Sequence, residues 1–320
     1  MGNSFFSAND IKAALFYEKN YELVNSFFIE PNKKITLGSN EYPRICRFCR
    51  KGQPEVSFKD DAHALPAAFG NTGLFSYYEC DTCNHLFGEG IENHLGNWSK
   101  PMRTLSRIKG RSGVPTVKKP GSKNGWRIEY LDSKFQMKEY EDEPFFYVNE
   151  KERKIQFELF RDTYIPTAVL KGLVKIGITI LPEFEVQYFN EACDWIRDTN
   201  HSRPFVSGFP MFSTFIPGPM RNDLIVLMLM RRRTTVANVP YAFLIFSYGN
   251  EVMQVFLPSI CQDKCIHGKK FTMPIFPSPK HTNSKKYGKP ITKINNLTSY
   301  DPIKSEKVLV GFGFDTSIII

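Results

Sequence analysis

The sequence has no apolar run of about 18 residues or more, so it predicts no transmembrane helix. Its first residues also lack the basic region and following apolar run that mark a secretory signal peptide. The cysteines number seven, and four of them stand in metal-binding spacing, which is typical of a reducing compartment rather than of a disulfide framework. These absences together predict a cytoplasmic protein with no membrane partner.

The chain also lacks internal repeats, a glycine-rich phosphate loop and a Ser-His-Asp order of catalytic residues. No pattern therefore indicates a repeat protein, a P-loop NTPase or a serine hydrolase. With 320 residues, the chain can bury a sizeable core and has room for two domains.

Acidic residues are absent from residues 97–127, although the whole chain contains 33 of them. The cations of this stretch account for the entire net charge of +9. A local positive stripe is typical of a surface that follows a polyanion, and we interpret 97–127 as a basic DNA-binding linker. A solvated linker without a ligand is the other interpretation. The expected nucleic-acid-binding residues are Lys100, Arg103, Arg107, Lys109 and Arg111.

Four of the seven cysteines form two Cys-x-x-Cys pairs, Cys46/Cys49 and Cys80/Cys83. Each pair can present two thiolates from one tight turn, and two such pairs complete a tetrahedral zinc site. A site closed by four thiolates has no open position for a substrate, so we expect structural Zn²⁺ here. The chemistry must then lie with the residues that the zinc holds together.

Polar residues follow a particular order around these pairs. Ala62-His63-Ala64-Leu65-Pro66 and Gly70-Asn71 lie between the two pairs, and Asn84-His85 comes directly after Cys83. With the cysteines, these residues resemble the HNH endonuclease family, in the form whose ββα core is held by two zinc knuckles. The resemblance covers only the stretch from Arg44 to Glu92.

Hydrolysis of a phosphodiester needs a base for the attacking water and a cation for the charge on the phosphate. A neutral histidine suits the first task near neutral pH, and we assign it to His63. The resemblance implies that Asn84 acts in catalysis as a ligand of Mg²⁺ or Mn²⁺. Many family members carry an acidic residue where this chain has Ala62, and Asp61 is our candidate for that carboxylate. His85 is an alternative ligand, which would favour a softer metal.

The coarse pattern predicts an α+β fold, with a ββα-metal nuclease domain followed by a second α+β domain. We divide the chain into an N-terminal helical segment (1–40), the HNH domain (41–96), the basic linker (97–127) and a regulatory or recognition domain (128–320).

Local signals add detail to this division. The first segment should be a helix over 8–28, because apolar residues recur there at helical spacing. In the HNH domain we expect strands over 55–65 and 74–78 and a helix from Cys80 to about Leu95. The last part should contain a strand at 152–160, a helix at 167–181, a strand at 224–230, a hairpin at 241–257 and a strand at 308–314.

The sequence thus predicts a metal-dependent endonuclease, with double-stranded DNA as the expected substrate. Proteins of this type are associated with phage defence, and that antiviral role is an expectation by association. Because Ala62 stands at the usual acidic position, a second interpretation is a zinc-stabilised nucleic-acid-binding module without cleavage activity. A third interpretation is a structural zinc fold in a larger complex. Residues 128–320 are expected to bind a protein partner, a signal molecule or a second copy of the chain, or to widen the DNA footprint as a scaffold.

Overall fold

The computed structural model describes residues 8–122, 125–132, 134–138, 145–202, 205, 210–234, 236, 238–266, 268–269, 272–278 and 282–313. Lys123 of the basic stretch lies outside these residues. No helix among them is long and apolar enough to cross a membrane. The α-helices are α1 (Ala8–Asn20), α2 (Asp81–Glu89), α3 (Ile91–Leu105), α4 (Pro166–Thr179), α5 (Glu183–Val186), α6 (Asn190–Arg197) and α7 (Ser284–Tyr287).

Short 3₁₀ helices occupy Ala67–Phe69 and Gln187–Phe189. The strands are β1 (Tyr21–Ile29), β2 (Ile35–Leu37), β3 (Leu74–Ser76), β4 (Val117–Lys118), β5 (Arg127–Leu131), β6 (Lys134–Lys138), β7 (Phe146–Asn149), β8 (Lys154–Phe160), β9 (Met211–Phe215), β10 (Ile225–Arg232), β11 (Ala242–Tyr248), β12 (Glu251–Leu257), β13 (Ile291–Asn295) and β14 (Lys307–Gly313). The prediction of an α+β fold is confirmed.

The largest sheet has six strands in the order β1-β10-β11-β12-β9-β13, all paired antiparallel. Its central strands β11 and β12 form the hairpin that the sequence predicts, and every residue in both strands is buried. Strands that are buried on both faces have largely apolar sequences without alternation. Two three-stranded sheets, β14-β8-β7 and β4-β5-β6, and the parallel pair β2-β3 complete the strand pairing of the described residues.

Helix α4 lies between this large sheet and α3. Nearly all of its residues are buried, as expected for a predominantly apolar helix that is covered on more than one side. Two glycines allow its close packing: a Cβ at Gly177 would lie 2.5 Å from Leu257 Cδ2, and a Cβ at Gly172 would lie 3.2 Å from Leu95 Cδ2. Lys171 and Lys175 are fully buried within this helix, so their ammonium groups need partners inside the protein.

The main apolar cluster joins the cysteine-containing segment to α4 and to the large sheet. It includes Phe69 before β3, Leu173 in α4 and Phe246 in β11. The ring centroid of Phe69 lies 5.0 Å from that of Phe246 and 4.9 Å from that of Tyr248. Residues from 41–96 and from 128–320 therefore share one core.

The prediction of one helix over 8–28 is wrong beyond Asn20. The helix ends there, and Tyr21–Ile29 is strand β1, paired with β10 from Tyr21↔Arg232 to Ile29↔Ile225. The apolar spacing of this segment fits the period of a helix and also that of a strand. Pairing with the buried strand β10 makes the segment a strand.

Two further local predictions need correction. Residues 55–65 do not form a β-strand. Among them, only His63 makes a β-bridge, which is antiparallel to Phe75. The amides of Lys59 and Asp60 instead donate to the carboxylate of Asp81, at 2.9 Å and 3.0 Å from Oδ1, which removes them from strand pairing.

The helix predicted from Cys80 to about Leu95 is interrupted at Gly90, which separates α2 from α3. A Cβ at Gly90 would lie 3.0 Å from the carbonyl oxygen of Leu86, a close contact that favours glycine where the direction changes. The predicted linker also begins inside α3, which continues to Leu105 and buries Trp98 and Thr104.

Candidate metal centre and catalytic groove

The four predicted zinc ligands lie together at the junction of two turns. The first turn is closed by Cys46 N–H donating to the Lys51 carbonyl, at 2.8 Å, and by Arg50 N–H donating to the Cys46 carbonyl, at 2.8 Å. The second turn begins α2, because Cys80 occupies the position before its first residue. The amide of Cys80 also donates to Cys46 Sγ at 3.5 Å, which connects the two pairs.

The geometry of the sulfur atoms fits a zinc ion. All four Sγ atoms of Cys46, Cys49, Cys80 and Cys83 lie within 4.8 Å of one another, and those of Cys49 and Cys80 are 3.8 Å apart. Tetrahedral Zn–S bonds of about 2.3 Å place neighbouring sulfurs about 3.8 Å apart. The cluster is therefore compatible with structural zinc.

Arg47, within the first turn, connects this cluster to α4. It is 6% exposed, and Nη1 donates to the carbonyls of Ile178, Thr179 and Leu181 at 2.8 to 2.9 Å. Burial lowers the pKa of Arg47 to about 10, so the side chain remains charged at neutral pH and complements the C-terminal end of the α4 dipole. Its role is to join the cysteine turn to the helix.

His63 stands at the edge of β3, opposite Phe75, with ring centroids 4.7 Å apart. Asn71 Nδ2 donates to the carbonyls of Leu65 and Leu74, at 3.0 Å and 2.9 Å, and lies 3.4 Å from His63 Nδ1. Both amide protons of Asn71 therefore have carbonyl acceptors, and the amide lies beside the imidazole ring. No role is predicted for Asn71 from the sequence, although the residue belongs to the Gly70-Asn71 element of the motif.

The pKa of His63 is lowered. Burial of the ring is the main cause, and the nearby positive charges of Arg111 and Lys175 lower the pKa further, against the opposing carboxylates of Glu92 and Asp61. The ring is therefore neutral at neutral pH, which is the form that accepts a proton.

A groove of about 1010 Å³ opens beside His63. It is bounded by α2, by α3 and by the turn at 110–113, where Gly110 and Gly113 pair through backbone hydrogen bonds of 2.9 Å and 3.1 Å. The polar side chains on its walls include His63, Asn84, His85, Glu89, Glu92, Lys100, Arg103 and Arg111. The structure thus brings the predicted base and the predicted amide ligand into one cleft.

Asp61 is not among the residues that line this groove. Its side chain is 68% exposed and lies 3.7 Å from the ammonium of Lys34. Glu92 does line the groove, is 20% exposed and occupies the first turn of α3. No role is predicted for Glu92 from the sequence. His85 Nε2 faces Glu89 at 3.2 Å, and both side chains line the groove and are largely exposed.

The five predicted nucleic-acid-binding cations occupy different environments. Arg103 is 6% exposed, and its guanidinium donates to Ser99, Ala68 and Gly96 at 2.8 to 3.0 Å, so it stabilises the groove wall from within. Lys100 lines the groove but pairs with Asp162 at 2.6 Å.

The remaining three of these cations follow α3. Lys109 and Arg111 are exposed, and Arg107 is partly buried at a backbone φ of 56°. Arg111 also lines the groove. The positive charge accessible beside His63 therefore comes from the loop after α3 rather than from the helix itself.

Comparison with known proteins adds one finding. A family model described as HNH endonuclease matches residues 46–99. This range contains both cysteine pairs, His63, Asn84 and Glu92. No curated protein and no solved structure matches the chain. The predicted resemblance is confirmed for this segment, and a β-rich part follows it.

Proposed function

We propose that this protein is a metal-dependent endonuclease that hydrolyses phosphodiester bonds in DNA, with His63 as the general base. The observation that carries the proposal is that His63, Asn84 and Glu92, which all belong to the matched segment, line one groove. The neutral ring of His63 removes a proton from the attacking water, a role worth roughly 10²- to 10⁴-fold in rate.

Asn84 and Glu92 are the residues that would hold the catalytic metal. Their amide and carboxylate oxygens are hard ligands of the kind that Mg²⁺ and Mn²⁺ prefer. A divalent cation bound there would stabilise the charge on the phosphate and the leaving oxygen. Glu92 replaces Asp61 in this proposal because it lines the groove and is largely shielded from solvent. His85, which also lines the groove, remains an alternative ligand.

Phosphate contacts are assigned to the exposed cations that follow α3. Arg111 lines the groove, and Lys109 stands two residues before it, so both can follow a strand that passes His63. Such contacts carry no base recognition, and cleavage is expected to depend on salt more than on sequence. A phage-defence role stays a prediction.

The second candidate function is a zinc-stabilised module that binds nucleic acid without cutting it. Ala62 favours it, because the position that is acidic in many family members carries a methyl group that is 2% exposed. Glu92 is the residue that separates the two functions: if it supplies the missing carboxylate, the groove is complete.

A plasmid-nicking assay with Mg²⁺ or Mn²⁺, and with chelator as the blank, tests this proposal. We expect cleavage by the wild type, loss of about 10² or more in rate for His63→Ala, and a comparable loss for Glu92→Gln. Asp61→Asn is the matched control for the carboxylate and should cut within about twofold of wild type if Glu92 is the ligand. Wild-type protein that binds DNA without cutting it in either metal would favour the second function.

A further inference from the structure

Lys175, in the third turn of α4, places a buried ammonium beside the groove. The side chain is 1% exposed, and Nζ lies 2.9 Å from Glu79 Oε2, 3.0 Å from Glu92 Oε1 and 3.3 Å from the backbone oxygen of His63. An ammonium has three protons, and here three oxygens surround it. The residue lies outside the segment 46–99 that matches the family model.

The two carboxylates around Lys175 differ in their access to solvent. The side chain of Glu79 is 0% exposed, whereas that of Glu92 is 20% exposed and lines the groove. Burial lowers the pKa of Lys175, but the two carboxylates more than offset it and leave the pKa raised, so the ammonium stays charged.

The ammonium connects three pieces of chain that the groove needs. His63 lies before the first 3₁₀ helix, Glu79 directly precedes the cysteine Cys80, and Glu92 lies in the first turn of α3, after the break at Gly90. Without an anchor, a glutamate in a first helical turn at a groove can adopt several rotamers, each of which moves its free oxygen. Contact with Lys175 selects one of them.

The backbone packing explains how α4 reaches this place. Gly172 brings α4 so close to α3 that an added Cβ would lie 3.3 Å from the carbonyl oxygen of Ile91. Lys175 follows Gly172 by three residues, so both lie on the same helical face. That face is turned towards Glu92, the residue after Ile91.

We propose that Lys175 is a positioning residue of the catalytic groove, which fixes the carboxylate of Glu92 and the backbone at His63 from a helix outside the matched segment. This inference rests on the proposed nuclease function. It makes α4 a working part of the active site rather than a support of its own domain.

The single change Lys175→Met leaves two carboxylates in a buried site, and Glu79 then has no charged partner there. The decisive variant is therefore Lys175→Met with Glu79→Gln, which removes both members of the fully buried pair and retains Glu92. The matched control is Lys171→Met, which removes the other buried lysine of the same helix. Lys171 Nζ donates to the Asp198 carbonyl at 2.5 Å and is not among the residues that line the groove.

Three measurements separate positioning from simple stability. We expect kcat of the double variant to fall by about 10- to 100-fold, because small misplacement of a catalytic group has effects of this size, while KM for DNA changes by less than about twofold. The acid limb of its kcat/KM profile should move to higher pH, because loss of the Lys175 charge raises the pKa of His63 while Arg111, Glu92 and Asp61 remain. The Kd for Mn²⁺, followed by electron paramagnetic resonance, should rise.

Each result has a definite meaning. Lys171→Met should retain the kcat, pH profile and Mn²⁺ affinity of the wild type even where its Tm is lower. A folded, zinc-containing double variant with unchanged kcat and Mn²⁺ affinity would overturn the positioning role. A wild type that binds Mn²⁺ but never cuts DNA would overturn the proposed function instead, and the comparison of Mn²⁺ affinities would still test whether Lys175 holds Glu92.

Discussion

A fragment comprising residues 1–127 separates a self-contained nuclease core from one that depends on the rest of the chain. The division drawn from the sequence places the HNH domain and the basic linker within this fragment. The structure leads us to expect that this fragment will not form the groove. It removes α4, and with it Lys175 beside His63 and Glu92 and the carbonyls that Arg47 binds.

The expected cost can be estimated from the apolar side chains that would lose their cover. Phe69 packs on β11, while Ile91 and Leu95 pack on α4, and each is 2% exposed or less. Burial of one such side chain contributes about 1.5–3 kcal/mol, so exposing three costs roughly 5–9 kcal/mol. Net domain stabilities are about 5–15 kcal/mol. Glu79 would regain water in the fragment, so its lost ion pair adds nothing to this estimate.

Zinc content alone is an insufficient assay, because zinc binding contributes about 10–16 kcal/mol of apparent free energy in small zinc domains and can hold the cysteine turns by itself. The test is cooperative thermal melting, dispersion of amide resonances and plasmid nicking, with the full chain as the control. We expect a zinc-binding fragment that melts without cooperativity and does not cut DNA. A fragment that melts cooperatively and cuts at the full-length rate would refute the shared core and the role of α4 together.

Three further predictions concern the site itself. Because the pKa of His63 is lowered, the ring stays neutral to lower pH, and the acid limb of the cleavage rate should have its midpoint below the ordinary histidine pKa of about 6.5. A midpoint above that value would contradict the assigned environment of His63. Cys80→Ser should remove about one Zn²⁺ per chain and abolish cooperative melting, whereas Cys261→Ser, an exposed cysteine outside the cluster, should change neither. Replacing Lys109 and Arg111 by Gln should weaken binding to all DNA sequences alike and lower the salt slope by about 2; an altered base preference would mean that these residues read bases.

The cysteine cluster and the position of His63 were predictable because each depends on residue identity at short spacing. A four-thiolate site requires four cysteines, and the order of His63 and Asn84 around them is the one that the resemblance implies. The buried hairpin of β11 and β12 was also predictable, since long apolar runs around a Gly-Asn turn leave few alternatives.

Other features were not predictable, because they depend on partners that are distant in sequence. Strand β1 has helical apolar spacing, and only pairing with β10, about 200 residues away, makes it a strand. The amides near Asp60 are taken by the side chain of Asp81, which no strand pattern registers. Arg103 was counted among the phosphate-binding cations because its charge is visible in the sequence, whereas its burial is not.

The family model matches a short segment, whereas the proposed catalytic groove also depends on Lys175, which lies outside that segment. A family model recognises residue identities at fixed spacing, and the segment 46–99 supplies them. The carboxylate of Glu92 needs only one ammonium group beside it. The position of Lys175 in the sequence is not constrained by the spacing of the motif, so the motif cannot reveal it. A regulatory or recognition role for the rest of 128–320 stays a prediction. Through Lys175, α4 connects that part of the chain to Glu92 and to the backbone at His63.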